Sequence, residues 1–359
     1  MEVETFMRSA LDMYREYQEV NLFLSTGFTV FTMNLVQYQD NYKRALALVE
    51  GERLRNLTRF DRLYDLAWAA IETGVSLCDL IKEVVSDDYI DYEAMINSSN
   101  LLPPIDHVDP AHMLITGTGL SHLGSAATRD VMHSDFQDDA ATTDSMRMFN
   151  WGIKGGKPSP GEVGVQPEWF YKGDGSIVVP PEGELASPSF ALDGGEEPEI
   201  AGIYMIGPDA TVYCLGFALA NEFSDHITEQ KNYLYLAHSK LRPCSFGPEI
   251  RTGQLPGKVT GVSSIVRDGK VVWTKPFLTG EANMSHSIDN LEHHHFKYSV
   301  FRRPGDIHIH FLGTATLSFA DDFVTCDGDQ FVIEAAAFGK PLRNRLCIAK
   351  GQEFHRRFL

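Results

Sequence analysis

The stretch EEPEIAGIYMIG, residues 196–207, joins two closely spaced carboxylates to an apolar run. In a β-strand alternate side chains share a face, so Glu197 and Glu199 are predicted to lie side by side. Adjacent like charges repel, and a divalent cation would remove that cost because hard cations bind carboxylate oxygens. An acidic strand end without a ligand is the alternative that the pair leaves open. The next apolar run, residues 212–219, leads to Glu222, whose carboxylate would complete a site with three oxygen ligands.

The composition limits the classes of partner. The 359 residues are 43% hydrophobic, which predicts one large domain and a smaller one. A formal net charge of −18 argues against nucleic acid or an anionic membrane surface as partner. The five cysteines have no metal-ligand spacing and predict free thiols in a reducing compartment. No run approaches about 18 uncharged apolar residues, so we expect no membrane span and a cytoplasmic protein.

The pattern along the chain predicts three parts. Residues 1–32 form an N-terminal extension of unknown role, residues 33–105 a small α/β domain, and residues 106–359 a β-rich domain. Paired prolines at 103 and 104 mark the second boundary. Beyond it, short apolar runs separated by Gly, Pro and Asp predict a β-sandwich, roll or barrel and not a doubly wound parallel sheet.

Individual elements are also predicted. The strands are expected near residues 35–38, 44–49, 170–172, 177–179, 202–206, 212–219, 270–273, 307–311 and 330–333. The helices are expected at residues 62–73, at 77–85 with Ser76 as its cap, and at 285–301.

Two lysines lie in patterns that carry chemistry. A lysine held among apolar groups near a metal can act as a base, which makes Lys240 a candidate, although a surface lysine is the alternative. Lys172 follows aromatic residues on a predicted strand, where a surface lysine is again the alternative. The histidines at 286, 293–295, 308 and 310 lack a zinc-binding motif, so we expect them in the core or around a site.

Residues 33–345 carry, in one order, nine motifs that resemble the fumarylacetoacetate hydrolase superfamily. They are Gly119-Leu120-Ser121, Phe170-Tyr171-Lys172, Glu197-Pro198-Glu199, Asn221-Glu222, Lys240, Cys244-Ser245-Phe246-Gly247-Pro248, Pro304-Gly305-Asp306, Gly313-Thr314 and Leu342-Arg343-Asn344. The resemblance implies a mixed α/β, β-rich protein with a β-sandwich roll as catalytic domain. It also implies a homodimer, and a Mg²⁺ ion (or Mn²⁺) bound by Glu197, Glu199 and Glu222. Glu222 departs from the commoner Asp of the family.

The subgroup is indicated by one position. Hydrolases of the superfamily carry a His shortly after the glycine turn, where this chain has Ser125. The stretches GTGLSHLGSAATRD and LAHSKLRPCSFGPE resemble the sugar-acid dehydratase branch associated with arabinose catabolism. That resemblance implies a hydro-lyase that converts a 2-keto-3-deoxypentonate to 2,5-dioxopentanoate through an enolate stabilised by Mg²⁺.

The same resemblance gives roles to further residues. Lys240 would be the base at C3, and His122 or His133 would supply acid to the leaving C4 hydroxyl. The substrate would be bound by Ser125, Arg129, Lys172 and Thr314. Two alternatives remain: a metal-dependent C–C hydrolase of acylpyruvates or 2,4-diketo acids, and a sugar-acid binding protein without activity.

Overall fold

The computed structural model describes residues 32–124, 143–351 and 354–359. The described residues from Met33 onward belong to one compact unit. The predicted extension, residues 1–32, falls almost wholly outside the described residues, and the predicted division near residue 105 stays a prediction. None of the helices in the described ranges has the length and apolar character needed to cross a membrane.

Strands make up most of the regular structure. In chain order they are β1 (Asn34–Asp40), β2 (Lys43–Glu50), β3 (Arg53–Leu57), β4 (Val85–Asp91), β5 (Met113–Gly117), β6 (Phe170–Asp174), β7 (Val178–Val179), β8 (Glu184–Ser187), β9 (Pro198–Ile206), β10 (Val212–Asn221), β11 (Cys244–Phe246), β12 (Ile250–Arg251), β13 (Val259–Arg267), β14 (Lys270–Thr279), β15 (Ile307–Phe311), β16 (Gln330–Glu334) and β17 (Leu342–Ile348).

The α-helices are short and lie between the strands. They are α1 (Leu63–Thr73), α2 (Leu77–Val84), α3 (Tyr92–Asn97), α4 (Asp144–Gly155), α5 (His226–Lys231), α6 (Leu236–Lys240) and α7 (Ile288–Phe296). Some of their N-termini follow from local sequence: the Ser76 side chain accepts a hydrogen bond from the Asp79 amide at 3.1 Å and caps α2, as predicted.

Two sheets organise the described part of the chain. The larger, of twelve strands, runs in the order β4-β3-β2-β1-β12-β10-β9-β15-β5-β6, with β11 beside β10 and β7 beside β11. The smaller runs in the order β14-β13-β16-β17-β8. β1 is joined to the centre of the large sheet through β12, so the first strands of the chain and the strands of the acidic stretch share one sheet.

β9 lies at the centre of this architecture, and all nine of its residues are buried. On one face Ile203 and Met205 pack with β15 and with helices α1 and α2 in the largest core cluster. On the other face Ile200 packs with Phe277 of β14 and Ile333 of β16 in a second cluster. Burial on both faces explains why the sequence of β9 is a continuous apolar run without alternation.

The predicted elements are present, with differences at their ends. The helix predicted at 285–301 is shorter, because the Ser287 side chain caps it by accepting from the Asn290 amide, and the chain leaves the helix after Phe296. In the unpredicted strands β3 and β13, charged, Ser, Thr and Gly residues interrupt the apolar ones, as Arg55 does in β3 and Ser263 and Ser264 do in β13. Those residues reduce the apolar signal while alternate side chains, such as Leu54, remain buried.

Candidate active site

Three carboxylates meet where β9 begins and β10 ends. The two strands are antiparallel, and their register pairs Ala220 with Glu199. The ladder continues beyond the strands, since the Glu222 amide donates to the carbonyl of Glu197 at 3.1 Å. The ligand oxygens of Glu197, Glu199 and Glu222 all lie within 4.8 Å of one another, and the three side chains are buried.

The electrostatics of these carboxylates are unequal. Burial and the charges of Glu222 and Glu197 raise the pKa of Glu199 well above its usual range. Burial likewise raises the pKa of Glu222, against the opposing charges of Lys240 and Lys172. For Glu197, burial opposes ionisation, but Lys240 and His226 outweigh it and hold the pKa well below its usual range.

The donor set fits a hard divalent cation. Glu222 Oε1 is buried and has no hydrogen-bond partner among the described residues, so one oxygen of this carboxylate is left unsatisfied. Carboxylate oxygens in this number and proximity are ligands that Mg²⁺ and Mn²⁺ prefer. A cation would also remove the repulsion among three buried like charges.

Lys240, the last residue of α6, is directed at the carboxylates. Its ammonium is hydrogen-bonded to Glu197, lies 3.1 Å from Glu222 Oε2 and is 3.3 Å from Ser224 Oγ. Burial opposes the charged form, yet the carboxylates raise the pKa of Lys240 well above its usual range. The Lys240 ammonium is the donor in each of these three hydrogen bonds.

Lys172, on β6, is fully buried. It is therefore not a surface lysine, which was the alternative prediction from its sequence. Its ammonium donates to the backbone carbonyl of Phe223 at 2.7 Å and to that of Lys240 at 2.9 Å. Glu222 Oε1 lies 3.8 Å away. Lys172 therefore holds together the two segments that present Glu222 and Lys240, and it is not among the residues that line the cavity described next.

A cavity opens onto the three carboxylates. The turn after β5 contributes Gly119 and Leu120, and the segment after β15 contributes Thr314 and Leu317. The Leu120 backbone has φ +54°, in the left-handed region, which turns the chain sharply at the cavity. Thr314 lines the cavity, and its predicted role in binding substrate stays a prediction.

The segment 313–318 is tied to β9 at both ends. Glu199 Oε2 accepts a hydrogen bond from the Gly313 amide at 2.7 Å. Glu196, fully buried, accepts from the Ser318 amide at 2.9 Å and from the Ser318 hydroxyl at 2.8 Å. The acidic stretch therefore positions both the three carboxylates and the wall of the cavity that faces them.

Two residues of α5 that the sequence did not single out also line the cavity. His226 lies between Asp193 and Glu197, and Glu229 Oε2 lies 4.0 Å from the Lys240 ammonium. Burial disfavours the charged ring, yet the two carboxylates raise the pKa of His226 to about 10. The six residues of α5 are too few to show a helical period in the sequence. The signal that could have pointed to His226 and Glu229 is their position in the chain between Glu222 and Lys240.

The remaining predicted residues are placed differently. His122 is buried outside the cavity lining, with Nε2 2.9 Å from Thr279 Oγ1 and Nδ1 3.2 Å from Ser121 Oγ. Burial lowers the pKa of His122 to about 4. Ser125, Arg129 and His133 lie outside the described residues, so their predicted roles stay predictions.

Comparison with known proteins gives matches among solved structures. No protein-family model matches the chain, and no curated protein matches it. A 2-keto-3-deoxy-D-arabinonate dehydratase in its apo form superposes with a TM-score of 0.65 at 20% identity, over 89% of this chain and 100% of the other. The same dehydratase complexed with magnesium and 2,5-dioxopentanoate gives 0.65 at 19% identity, over 89% and 100%. A 2-hydroxyhepta-2,4-diene-1,7-dioate isomerase from Mycobacterium marinum gives 0.54 at 16% identity, over 88% and 98%.

These identities establish the fold and not the reaction. The superposition extends over most of this chain and nearly all of each neighbour. It confirms the mixed α/β, β-rich architecture that the motifs predicted. The chain has the fold of these dehydratase and isomerase structures.

Proposed function

We propose that the protein is a metal-dependent hydro-lyase that dehydrates a 2-keto-3-deoxypentonate to 2,5-dioxopentanoate. The observation that carries the proposal is the buried group of Glu197, Glu199 and Glu222 with Lys240 directed at it. Support comes from the shared fold with a dehydratase whose structure holds magnesium and 2,5-dioxopentanoate. The substrate would be a small keto acid, and we expect a cytoplasmic homodimer.

The three glutamates would hold Mg²⁺ or Mn²⁺, and such an ion supplies Lewis acidity toward a 2-keto acid. The residues of the chain move the protons. Lys240 is the candidate base at C3, and a base role requires it to release a proton to a neighbour. Glu229 is the nearby carboxylate outside the ligand set, and we propose that it exchanges that proton with Lys240.

The cavity wall would bind the rest of the substrate. Thr314 and the turn at Gly119 face the carboxylates and offer hydroxyl and backbone groups to a carboxylate or hydroxyl of the substrate. Ser125 and Arg129 stay proposed as further substrate ligands and His133 as the candidate acid. Lys172 would act through the backbone of the site, since its ammonium is already bound by two carbonyls.

The assay uses purified protein with Mg²⁺ and either the D or the L isomer of 2-keto-3-deoxypentonate, and it couples semialdehyde formation to an NADP-dependent dehydrogenase. We expect NADPH to appear with one isomer and to be abolished by EDTA. Release of pyruvate from an acylpyruvate, with no NADPH from either isomer, would contradict the dehydratase proposal and favour the C–C hydrolase. Thermal stabilisation by ligand without a cation, and no turnover of either substrate, would favour the binding protein.

A further inference from the structure

His226 occupies an unusual position between two carboxylates. Its Nδ1 lies 3.2 Å from Asp193 Oδ2, and its Nε2 lies 3.2 Å from Glu197 Oε1. The imidazole is 1% exposed, and the Asp193 side chain is 10% exposed. The ring therefore links an outer carboxylate to one of the three candidate metal ligands.

The local structure holds this ring in place. Asp225, immediately before α5, caps the helix by accepting from the Thr228 amide at 3.0 Å, and it also binds Arg242 at 2.9 Å. The ring stacks on Phe319, with centroids 5.3 Å apart. A Cβ on Gly195 would lie 2.7 Å from Nδ1, so a glycine leaves the space that the imidazole occupies.

The hydrogen bonds of Glu197 are concentrated on one oxygen. Both His226 and Lys240 bind Oε1, which leaves Oε2 available to a cation. Lys240 divides its hydrogen bonds among Glu197, Glu222 and Ser224, whereas the inward nitrogen of His226 contacts Glu197. Of the two side chains that bind this oxygen, the imidazole is the one whose inward hydrogen bond is made to Glu197 alone.

We infer that His226, held by Asp193, is a positioning residue that orients Glu197 for binding of a divalent cation. The inference rests on the metal site of the proposed function. Partners of metal-binding carboxylates typically change metal affinity by about 10-fold to 100-fold when they are removed. A role limited to packing would change stability without changing that affinity.

The experiment measures the Kd of Mn²⁺ by electron paramagnetic resonance, without substrate. His226→Phe keeps an aromatic ring against Phe319 and removes both hydrogen bonds. We expect its Kd to rise at least about 10-fold. His226→Gln, whose amide can donate one hydrogen bond to Glu197, should recover part of the affinity, and Asp193→Asn should give an intermediate loss.

The matched control is His295→Phe. His295 is also fully buried and bound at both ring nitrogens, by Trp169 Nε1 at 3.1 Å and by His308 Nδ1 at 2.9 Å, but it lies outside the cavity lining. We expect this variant to melt at a lower temperature than the wild type. Its Kd for Mn²⁺ should stay within about 2-fold of the wild-type value.

Four outcomes overturn the inference. Wild-type Mn²⁺ affinity in a folded His226→Phe protein would overturn the inference and leave the proposed metal site in place. An equal loss in His295→Phe assigns the effect to packing. Absence of Mn²⁺ binding by the wild type removes the inference and the metal-dependent function together. If His226→Phe does not fold by circular dichroism, Asp193→Asn decides, and an unchanged Kd there overturns the inference.

Discussion

Glu199 shows how one residue can favour function over stability. It is buried beside two other carboxylates, and the hydrogen bond that the structure gives it comes from the backbone amide of Gly313 at 2.7 Å. The ladder pairing of β9 with β10 fixes it there, so it cannot move away from Glu222. Without a cation, this arrangement destabilises the folded protein through repulsion.

Glu199→Gln should therefore separate stability from activity. The amide keeps an acceptor for Gly313 and removes one of three like charges. We expect the melting temperature of the metal-free protein to rise by about 2 °C or more, the stabilisation by added Mg²⁺ to disappear, and dehydratase activity to fall at least about 100-fold. Differential scanning fluorimetry and the coupled assay measure these effects. Glu184→Gln changes an exposed residue of β8 and should leave the melting temperature, the stabilisation by Mg²⁺ and the activity unchanged. Full activity in Glu199→Gln would contradict the metal role.

The pair formed by Lys240 and Glu229 gives a second prediction at this scale. If Lys240 is the base, Lys240→Met should slow exchange of the substrate C3 proton with D₂O by at least about 100-fold. Glu229→Gln removes the neighbour that takes the proton from Lys240, so it should slow both the exchange and product formation, by less than Lys240→Met does. Proton NMR follows both, and Mn²⁺ binding verifies the site in each variant. Exchange that survives in Lys240→Met and is lost in Glu229→Gln would make Glu229, and not Lys240, the base.

Lys172 should act mainly on stability. Removing its ammonium in Lys172→Met leaves two buried carbonyls, of Phe223 and Lys240, without their donor. We expect the free energy of unfolding to fall by about 2–4 kcal/mol, measured by urea denaturation. Lys275→Met breaks a half-exposed ion pair with Asp321 and should lower it by less than about 1 kcal/mol. Equal losses in the two variants would contradict the structural account of Lys172.

At the scale of the element, a bulge in β10 sets the register of the site. The pairing with β9 shifts between Cys214 and Gly216, and from there it continues to the pairing of Ala220 with Glu199. Because side chains alternate along a strand, a slip of one residue would move the following residues to the opposite face. The bulge is therefore a condition for placing Glu222 beside Glu199.

Gly216→Ala tests this element. Gly216 has φ +147°, and an added Cβ would lie 2.3 Å from the Arg251 carbonyl oxygen. We expect a loss of about 3 kcal/mol in the free energy of unfolding together with weaker Mn²⁺ binding. Gly269→Ala, at φ +73° with nothing within 4 Å of the added Cβ, should lose about 1–2 kcal/mol and keep Mn²⁺ binding. Wild-type Mn²⁺ affinity in Gly216→Ala would show that the bulge does not control the site.

The elements also show what the sequence could predict. Glu197, Glu199 and Glu222 were predictable because each adjoins a strong apolar run, and adjacent strands bring the ends of such runs together. His226 and Glu229 were not, because they lie in a short helix whose place depends on the Asp225 cap and on contacts with distant residues such as Phe319. The burial of Lys172 depends on carbonyls that the tertiary fold brings to it, and its local sequence contains no such information.

At the scale of the molecule, buried histidines make stability depend on pH. His295, His308 and His310 lie together between α7 and β15, and His295 and His308 share a hydrogen bond of 2.9 Å. Burial lowers the pKa of His295 and of His308 to about 3, and burial with the neighbouring His295 and His308 holds the pKa of His310 well below its usual range. In the unfolded chain a histidine titrates near about 6.5.

The sign of the effect follows from these values. At a pH between the pKa of a histidine in the folded protein and its pKa in the unfolded chain, the unfolded chain binds more protons than the folded protein. The free energy of unfolding therefore falls as the pH drops below about 6.5. His295→Phe removes one such group, and we expect its loss of unfolding free energy between pH 7 and pH 5 to be smaller than that of the wild type by up to about 2 kcal/mol. Urea denaturation at both pH values measures this. His293→Gln, exposed on the same helix, should keep the wild-type pH dependence, and an unchanged dependence in His295→Phe would contradict the prediction.

The order of strands in the large sheet has a consequence for synthesis. β9 and β10 form a hairpin that brings the three glutamates together within a short stretch of chain. β1 pairs on one side with β2, which follows it directly, but its Leu35 also pairs with Ile250, and Met113 of β5 pairs with Ile307, so these strands each have one partner that is translated much later. The Gly313 amide that binds Glu199 emerges later still. On the ribosome, the three carboxylates are therefore made before the last part of the cavity around them, and the candidate site is completed only after residues 313–317, in the last third of the chain, have been made.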